Sequence, residues 1–336
     1  MDFTVAICTF NGAERLPNVL KRLQVQQTTG FTWEILVVDN ASTDTTAIVV
    51  ERYQKTWPIS APLRYVQESQ PGLTHARRKA FHEAEAELVG FLDDDNWPDP
   101  NWVSHAYHFG LKHPSAGAYG SCIRPYYDQE PPPGFERISL YFALRPQTET
   151  FCYNDRYQKN LRKMFPPGAG VVVRKQAWQQ SVPQKQQLSG VTGTSLATKS
   201  EDVEMMSYIF YQGWKLWHCG EMKIQHHIPN DRFQPAYLTK FFRGIGRSRY
   251  ITRMQAYPVL LGCLLIPGYL TIDIFKIVTY FLRNFQDLRT DVIKASEWKL
   301  LLSVPEGLLV YIRLIFENKV LPKFLKKWQQ PYNLTI

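Results

Sequence analysis

Apolar positions in the first hundred residues switch repeatedly between two periods. Residues 3–10 (FTVAICTF) are short in extent, rich in β-branched side chains and apolar on both faces, which predicts a buried parallel strand. An Asn-Gly pair then turns the chain, and Leu16, Val19, Leu20 and Leu23 recur at helical spacing. A second strand over residues 33–40 ends near Asp39. Residues 42–55 predict a helix with Ser42 or Thr43 as N-cap and Asp44 in its first turn. A third, weaker strand is predicted at 62–68, a helix at 71–86 and a fourth strand at 87–95 (ELVGFLDDD).

This alternation predicts an α/β fold with a mainly parallel central sheet and helices on both faces. Ligands in such sheets bind beyond the carboxyl ends of the strands. Asp39 and the run Asp93-Asp94-Asp95 both fall at strand ends, so they are expected at one rim.

Further on, 126–136 (YYDQEPPPGFE) reads as an exposed proline-rich loop and 168–178 as a strand entering a short helix. Residues 200–219 predict a helix, a stop at Gly213 and a strand. From about Pro258 long apolar stretches appear, broken by proline and punctuated by basic residues. The expected division is a catalytic domain over 1–255 and a helical C-terminal region over 256–336.

The formal net charge of +9, with Lys and Arg crowded into the last hundred residues, suits nucleic acid, an anionic membrane or a phosphorylated substrate. Nucleic acid is not expected, because the basic and aromatic residues form no recognised binding motif. The five cysteines are odd in number, widely spaced and without a CxxC pair, which excludes a zinc knuckle or disulfide framework. Reduced thiols in the cytoplasm are the expectation. The N-terminal residues lack a basic flank and a cleavage pattern, so they read as a strand and not as a signal peptide.

Three adjacent aspartates repel one another unless a divalent cation neutralises them or all face water. A dinucleotide fold fails, since the first turn (TFNGAER) has one glycine where GxGxxG is needed. A calcium loop counted from Asp93 fails too, with Pro98 and Ser104 at its sixth and twelfth positions. An aspartyl phosphohydrolase would want Thr or Val where Trp97 stands. What remains is an Asp-x-Asp site for Mg2+ or Mn2+ and a nucleotide diphosphate, the cation offsetting charge on the departing diphosphate. Thr9 and Asn11, at the exit of the first strand, would supply polar contacts to base and ribose.

Taken in order, residues 5–23, 34–46, 71–81, 87–102 and 200–218 resemble the family 2 glycosyltransferases of the GT-A fold. The resemblance spans roughly 3–250 and looks closest to the HpsE-like cyanobacterial enzymes of hormogonium polysaccharide synthesis. It implies an inverting transfer from a nucleotide-activated sugar, with UDP as the commonest carrier. Asp39 resembles the base-binding aspartate, with Thr9 and Asn11 beside it. Asp93 and Asp95 match the outer Asp-x-Asp positions, Asp95 as direct metal ligand and Asp93 or Asp94 toward the ribose. Gly72 and Arg77 match the segment before the fourth strand, while Arg78 replaces an asparagine common there.

Glu201-Asp202 matches the family's catalytic pair, with Asp202 the expected general base at the acceptor hydroxyl. An acidic helix N-terminus favoured by the macrodipole would look the same. Of His226 and His227, adjacent on a strand and so facing opposite ways, His227 is the expected metal contact. Arg232 is either a diphosphate contact or a solvated charge. A non-catalytic module that kept only the fold is the rival reading, opposed by the intact Asp-x-Asp and Glu-Asp pairs.

Residues 257–282 are long enough to span a bilayer, where about 20 apolar residues suffice. Asp273 and Lys276 oppose that, each costing roughly 2.5–3.5 kcal/mol at the bilayer centre, and Pro267-Gly268 is expected to interrupt the helix. Residues 300–328 mix apolar side chains with Arg313, Lys319, Lys323, Lys326 and Lys327, suiting an amphipathic helix on an anionic surface. The alternative is a helical appendage packed on the core. The expectation is peripheral attachment to the cytoplasmic face of a membrane, with a glycan or lipid-linked acceptor.

Overall fold

The computed structural model describes residues 1–160, 164–193, 195–197 and 199–317. The chain opens with β1 (Phe3–Thr9), α1 (Leu16–Gln24), β2 (Trp33–Asn40), α2 (Thr46–Lys55), β3 (Leu63–Glu68), α3 (Leu73–Glu83) and β4 (Leu88–Asp93). The alternation expected from the sequence is therefore present. Pro17 is accommodated because it falls in the first turn of α1, where no N–H is needed. The helix after β2 begins later than expected: Asp44, not Ser42 or Thr43, accepts the free Thr46 N–H at 3.0 Å. Ser42 and Thr43 instead bind Asn11.

After β4 come β5 (Asn96–Pro98), α4 (Trp102–Lys112), β6 (Ala116–Tyr127), β7 (Phe151–Cys152) and α5 (Tyr153–Asn160). Then follow β8 (Val171–Arg174), α6 (Lys175–Ser181), α7 (Glu201–Tyr211), β9 (Lys215–Ile228) and α8 (Pro235–Met254). The described chain ends in α9 (Val259–Asn284) and α10 (Val292–Glu317). The described strands form one sheet in the order β3-β2-β1-β4-β8-β6-β9-β5, with β7 pairing β9. β3, β2, β1 and β4 are parallel, and β8 runs antiparallel between β4 and β6.

Strand side chains alternate between the two faces. Phe3, Val5 and Ile7 pack with α1 and Trp102 on one side, while Ala6 and Cys8 meet Ala76, Phe81 and Met206 on the other. Register then decides where the chemistry falls. Thr9 lies opposite Asp39 and Cys8 opposite Asp93, so three strands deliver their last residues together.

The C-terminal helices join the body through α8. Gly246 lets α8 and α10 touch closely, since an added Cβ would stand 2.7 Å from the Leu300 carbonyl. Tyr250, Ile251 and Met254 of α8 pack with Val304 and Tyr311 of α10. Pro267 does not interrupt α9 as expected; it lies inside a continuous helix, and Thr271 donates to its carbonyl at 3.0 Å. Asp273 points inward, where Arg253 grips both of its oxygens at 2.7 and 3.1 Å. Lys319, Lys323, Lys326 and Lys327 lie outside the described residues.

Candidate active site

The strand ends open into a cavity of about 1730 Å3, walled on the far side by the start of α7 and by α8. That exceeds the usual 300–1,000 Å3 of a single small-molecule pocket and leaves room for two substrates. Thr9, Asn11, Arg77, the three aspartates, Glu201, Asp202 and His226 all reach its wall.

The aspartates turn three ways. Asp94 is held by Arg15, with Nε and Nη2 at 2.8 and 2.9 Å, and by the Thr9 hydroxyl at 2.6 Å. Asp95 accepts from Arg232 Nη2 at 2.6 Å and from its neighbour Asn96 at 3.0 Å. Burial would raise Asp95, but Arg232 and His226 hold it well below the usual carboxylate range. Asp93 has no such partner; burial and the adjacent Asp95 push it up to about 6. The protein's own guanidiniums thus neutralise two of the three charges.

β5 places His226 opposite Asn96, and the His226 ring nitrogen Nε2 lies 3.6 Å from Asp95. His226 Nδ1 meets the Phe142 carbonyl at 3.0 Å, and a carbonyl can only accept. In the neutral ring the proton therefore sits on Nδ1, and the Nε2 lone pair faces Arg232 Nη1 at 3.3 Å. The expectation for His227 is corrected: its Nε2 binds Asp128 at 2.8 Å and its ring stacks on Trp97, away from the cavity. The signal was present, because His226 alternates in phase with the buried Ile224 and Ile228.

Among the described residues no three His, Cys, Asp or Glu side chains converge as a complete cation cage. The donor set still fits Mg2+ or Mn2+ in their common manner, with one or two carboxylates and the other ligands from phosphate oxygens. Asp95, with help from Asp93, would hold it, and the His226 ring beside Asp95 is oriented by a carbonyl behind it. Arg232 bridges Asp95 and His226.

Asp39 is buried at the rim, where Tyr65 donates to one oxygen at 2.6 Å and the Ser42 N–H to the other at 3.0 Å. Unlike its neighbour Asn40, it is not on the cavity wall. Gly72 is also set back from the cavity: its N–H goes to Asn40 Oδ1 at 2.7 Å, and its φ of +134° favours glycine. Its expected contact with the donor is replaced by a role in shaping the loop. Arg78 donates to the Pro183 carbonyl at 2.8 Å and lies over Trp178, a structural position.

Ser200 adopts the left-handed conformation (φ +73°) just before α7, turning the acidic pair toward the cavity. Strained backbone of this kind persists where the surroundings over-determine it. Arg77 binds Glu201 at 3.0 Å in a buried pair. Burial and Asp202 still raise Glu201 above its ordinary range. Asp202 reaches the cavity with Oδ2 on the Gly168 N–H at 2.8 Å and Oδ1 on the Val203 N–H at 2.9 Å.

Sequence reasoning missed several of the cavity's cations, Arg15 included. Lys199 stands beside this pair, its ammonium over the Phe241 ring at 4.3 Å, and burial pulls it below its ordinary range. Arg145 and Arg249 also line the cavity. Nothing in a linear pattern separates such residues from solvated charges; Lys199 alone had a hint, three positions ahead of Asp202.

A family model described as "Glycosyl transferase family 2" matches residues 4–180. Poly(ribitol-phosphate) β-N-acetylglucosaminyltransferase TarS of Staphylococcus aureus is 30% identical over 115 residues, 34% of this chain and 20% of that one. Hyaluronan synthase of Pasteurella multocida is 30% identical over 109 residues, 32% of this chain and 11% of that one. The chain thus aligns with a fifth or less of the length of these relatives. Among solved structures, GalNAc-T7 with UDP, GalNAc and Mn2+ superposes with a TM-score of 0.52 at 15% identity, over 73% of this chain and 47% of that one. S. aureus TarS 1–349 with UDP-GlcNAc gives 0.50 at 16% identity, over 75% and 66%. At such identities the likeness shows the fold, which is the GT-A type of α/β architecture. The family match takes in the strand ends that carry Asp39 and Asp93 to Asp95 and covers more than half of the 336 residues, so the chain belongs to glycosyl transferase family 2.

Proposed function

We propose that the protein is an inverting glycosyltransferase that moves a sugar from a nucleotide diphosphate carrier, UDP in the first instance, to a glycan or lipid-linked acceptor in polysaccharide synthesis. The observation that carries this reading is that Asp93 and Asp95 at the strand ends and Asp202 on α7 line one cavity. An inverting displacement needs the leaving group on one face of the anomeric carbon and a base on the other. The likeness of the motifs to hormogonium polysaccharide enzymes points to an exported polysaccharide.

In this mechanism the diphosphate lies toward Asp93 and Asp95, and the base and ribose against Thr9, Asn11 and the rim at Asp39. A Mg2+ or Mn2+ ion bound there would neutralise charge on the leaving diphosphate. Asp202 takes the acceptor hydroxyl proton as the oxygen bonds to the anomeric carbon and the carbon–oxygen bond to the diphosphate breaks. The N–H groups of Gly168 and Val203 hold that carboxylate in place and aim it. Glu201, clamped by Arg77, positions the start of α7.

The membrane reading rests on α9. It is 26 residues long and contains an 18-residue stretch with a mean hydropathy of 1.7, enough by length and composition to cross a bilayer. Its single acid is turned inward, and Leu264, Phe275 and Leu282 are 78%, 68% and 67% exposed on the opposite side. We read α9 as lying on the cytoplasmic face of a membrane with the cavity in the cytosol.

Thermal unfolding with UDP, GDP and dTDP, each with and without Mn2+, tests the enzymatic reading through mass action on the native state. Stabilisation by UDP that depends on the cation is the expected result. Failure of every nucleoside diphosphate to stabilise the protein would overturn it.

A further inference from the structure

The cavity does not end at Asp202. It continues along α8 to the foot of α9, reaching Tyr257 and Tyr269. Two arginines face this arm. Arg145 lies within electrostatic reach of Asp202, and one of its terminal nitrogens donates to the Leu140 and Leu144 carbonyls at 3.1 and 2.7 Å. Its Nε and the nearby Tyr153 hydroxyl are buried beside each other. The Arg249 side chain donates to the Tyr141 hydroxyl at 3.1 Å and lies over that ring. Neither arginine forms an ion pair among the described residues, in contrast to Arg253 beside them, which Asp273 neutralises.

Guanidiniums facing a cavity without carboxylate partners carry an unmet requirement for an anion, and phosphate suits their planar donor geometry. The location limits which phosphate. The arm runs from the expected base to a helix whose outer surface is apolar, so a ligand spanning it is anionic at one end and aliphatic at the other. We propose that Arg145 and Arg249 form the subsite for the phosphate of a lipid-phosphate-linked acceptor, whose hydroxyl faces Asp202 and whose chain leaves past Tyr257 and Tyr269 along α9. This inference rests on the glycosyltransferase reading for the word acceptor, but the binding it states is independent of the donor.

The experiment is equilibrium binding to the full chain in neutral-detergent micelles. The probes are dodecyl phosphate, dodecanol and inorganic phosphate, with UDP binding followed in parallel. Dodecyl phosphate is expected to bind at least about tenfold tighter than either of the others, the scale of one charge-assisted contact. Arg249→Gln, which breaks the Tyr141 contact, should weaken it at least about fivefold with UDP binding unchanged. Arg145→Lys, which keeps the charge and loses the fork, should weaken it to a smaller extent. Equal binding of dodecanol, or undiminished binding by Arg249→Gln, overturns the proposal. Inorganic phosphate binding as tightly as dodecyl phosphate overturns its lipid part in favour of a soluble phosphorylated acceptor. Loss of UDP binding in the unmodified protein with the lipid phosphate still bound counts against the enzymatic reading and leaves this subsite standing.

Discussion

Arg232 Nη2 lies 2.6 Å from Asp95 Oδ2, although 137 residues separate them in the chain. With Arg15 on Asp94, this contact sets a guanidinium against two of three adjacent carboxylates. The sequence reading allowed only a divalent cation or water to relieve the repulsion. The fold instead brings a guanidinium to each of two acids and leaves Asp93 under strain. Any cation that binds at Asp95 must therefore share that carboxylate with Arg232 or displace it.

Replacing Arg232 by Gln leaves Asp95 buried and uncompensated. Breaking one side of a buried pair costs about 3–5 kcal/mol, and partial exposure of Arg232 lowers the expectation to about 1–3 kcal/mol. The variant should melt below the wild type in chelator and gain more from Mn2+. Equal Mn2+ shifts for the two proteins would show that Arg232 does not compete for the cation.

Asp93 gives a pH signature. Its folded value of about 6 lies above the ordinary 3.8, so the native state holds a proton that the unfolded chain releases. The stability this provides is present below the unfolded value and is lost as pH rises from about 4 to about 6. Asp93→Asn should abolish that slope and stabilise the protein at pH 7.5 by on the order of 2 kcal/mol, while abolishing sugar transfer. Urea titrations across pH 4 to 8 check it. An unchanged slope would mean that Asp93 does not carry the proton.

The sheet was legible because period-two and period-3.6 patterns switch cleanly between residues 3 and 95, and buried parallel strands must be apolar on both faces. Register was not written in any one strand, yet the shared strand ends followed from the geometry of parallel sheets alone. What stayed hidden came from non-local pairing. β5 is three residues long and directly follows the acidic motif, and only its pairing with β9 reveals that His226 meets Asp95. Arg145 and Arg249 gain meaning only once the sheet, α8 and α9 enclose a common cavity.

Asp202 and Glu201 should separate by readout. Asp202→Asn is nearly isosteric, keeps an oxygen for a backbone N–H and removes the base. Turnover should fall by roughly two to four orders of magnitude with UDP binding retained. Glu201→Gln instead breaks the buried pair with Arg77, so its first effect is a lowered melting temperature. Near-normal turnover in Asp202→Asn with turnover lost in a well-folded Glu201→Gln would reverse the two roles.

The outer face of α9 supplies the last prediction. Leu264, Phe275 and Leu282 are spaced by 11 and 7 residues, which at about 100° per residue places them on one stripe. Asp273, nine residues beyond Leu264, falls half a turn away and reaches Arg253. Exposed side chains that pack against nothing contribute little to folding, so exchanging all three for Gln should change stability by no more than about 1 kcal/mol. Each loses up to about 1.5–3 kcal/mol of burial in lipid. Partial immersion reduces that, and sedimentation with anionic vesicles should still weaken by at least about a hundredfold. The wild-type chain should be released in part by high salt, since the basic residues add an electrostatic share. If the wild type stays in the supernatant, or the triple variant sediments equally well, α9 does not hold this enzyme at a membrane.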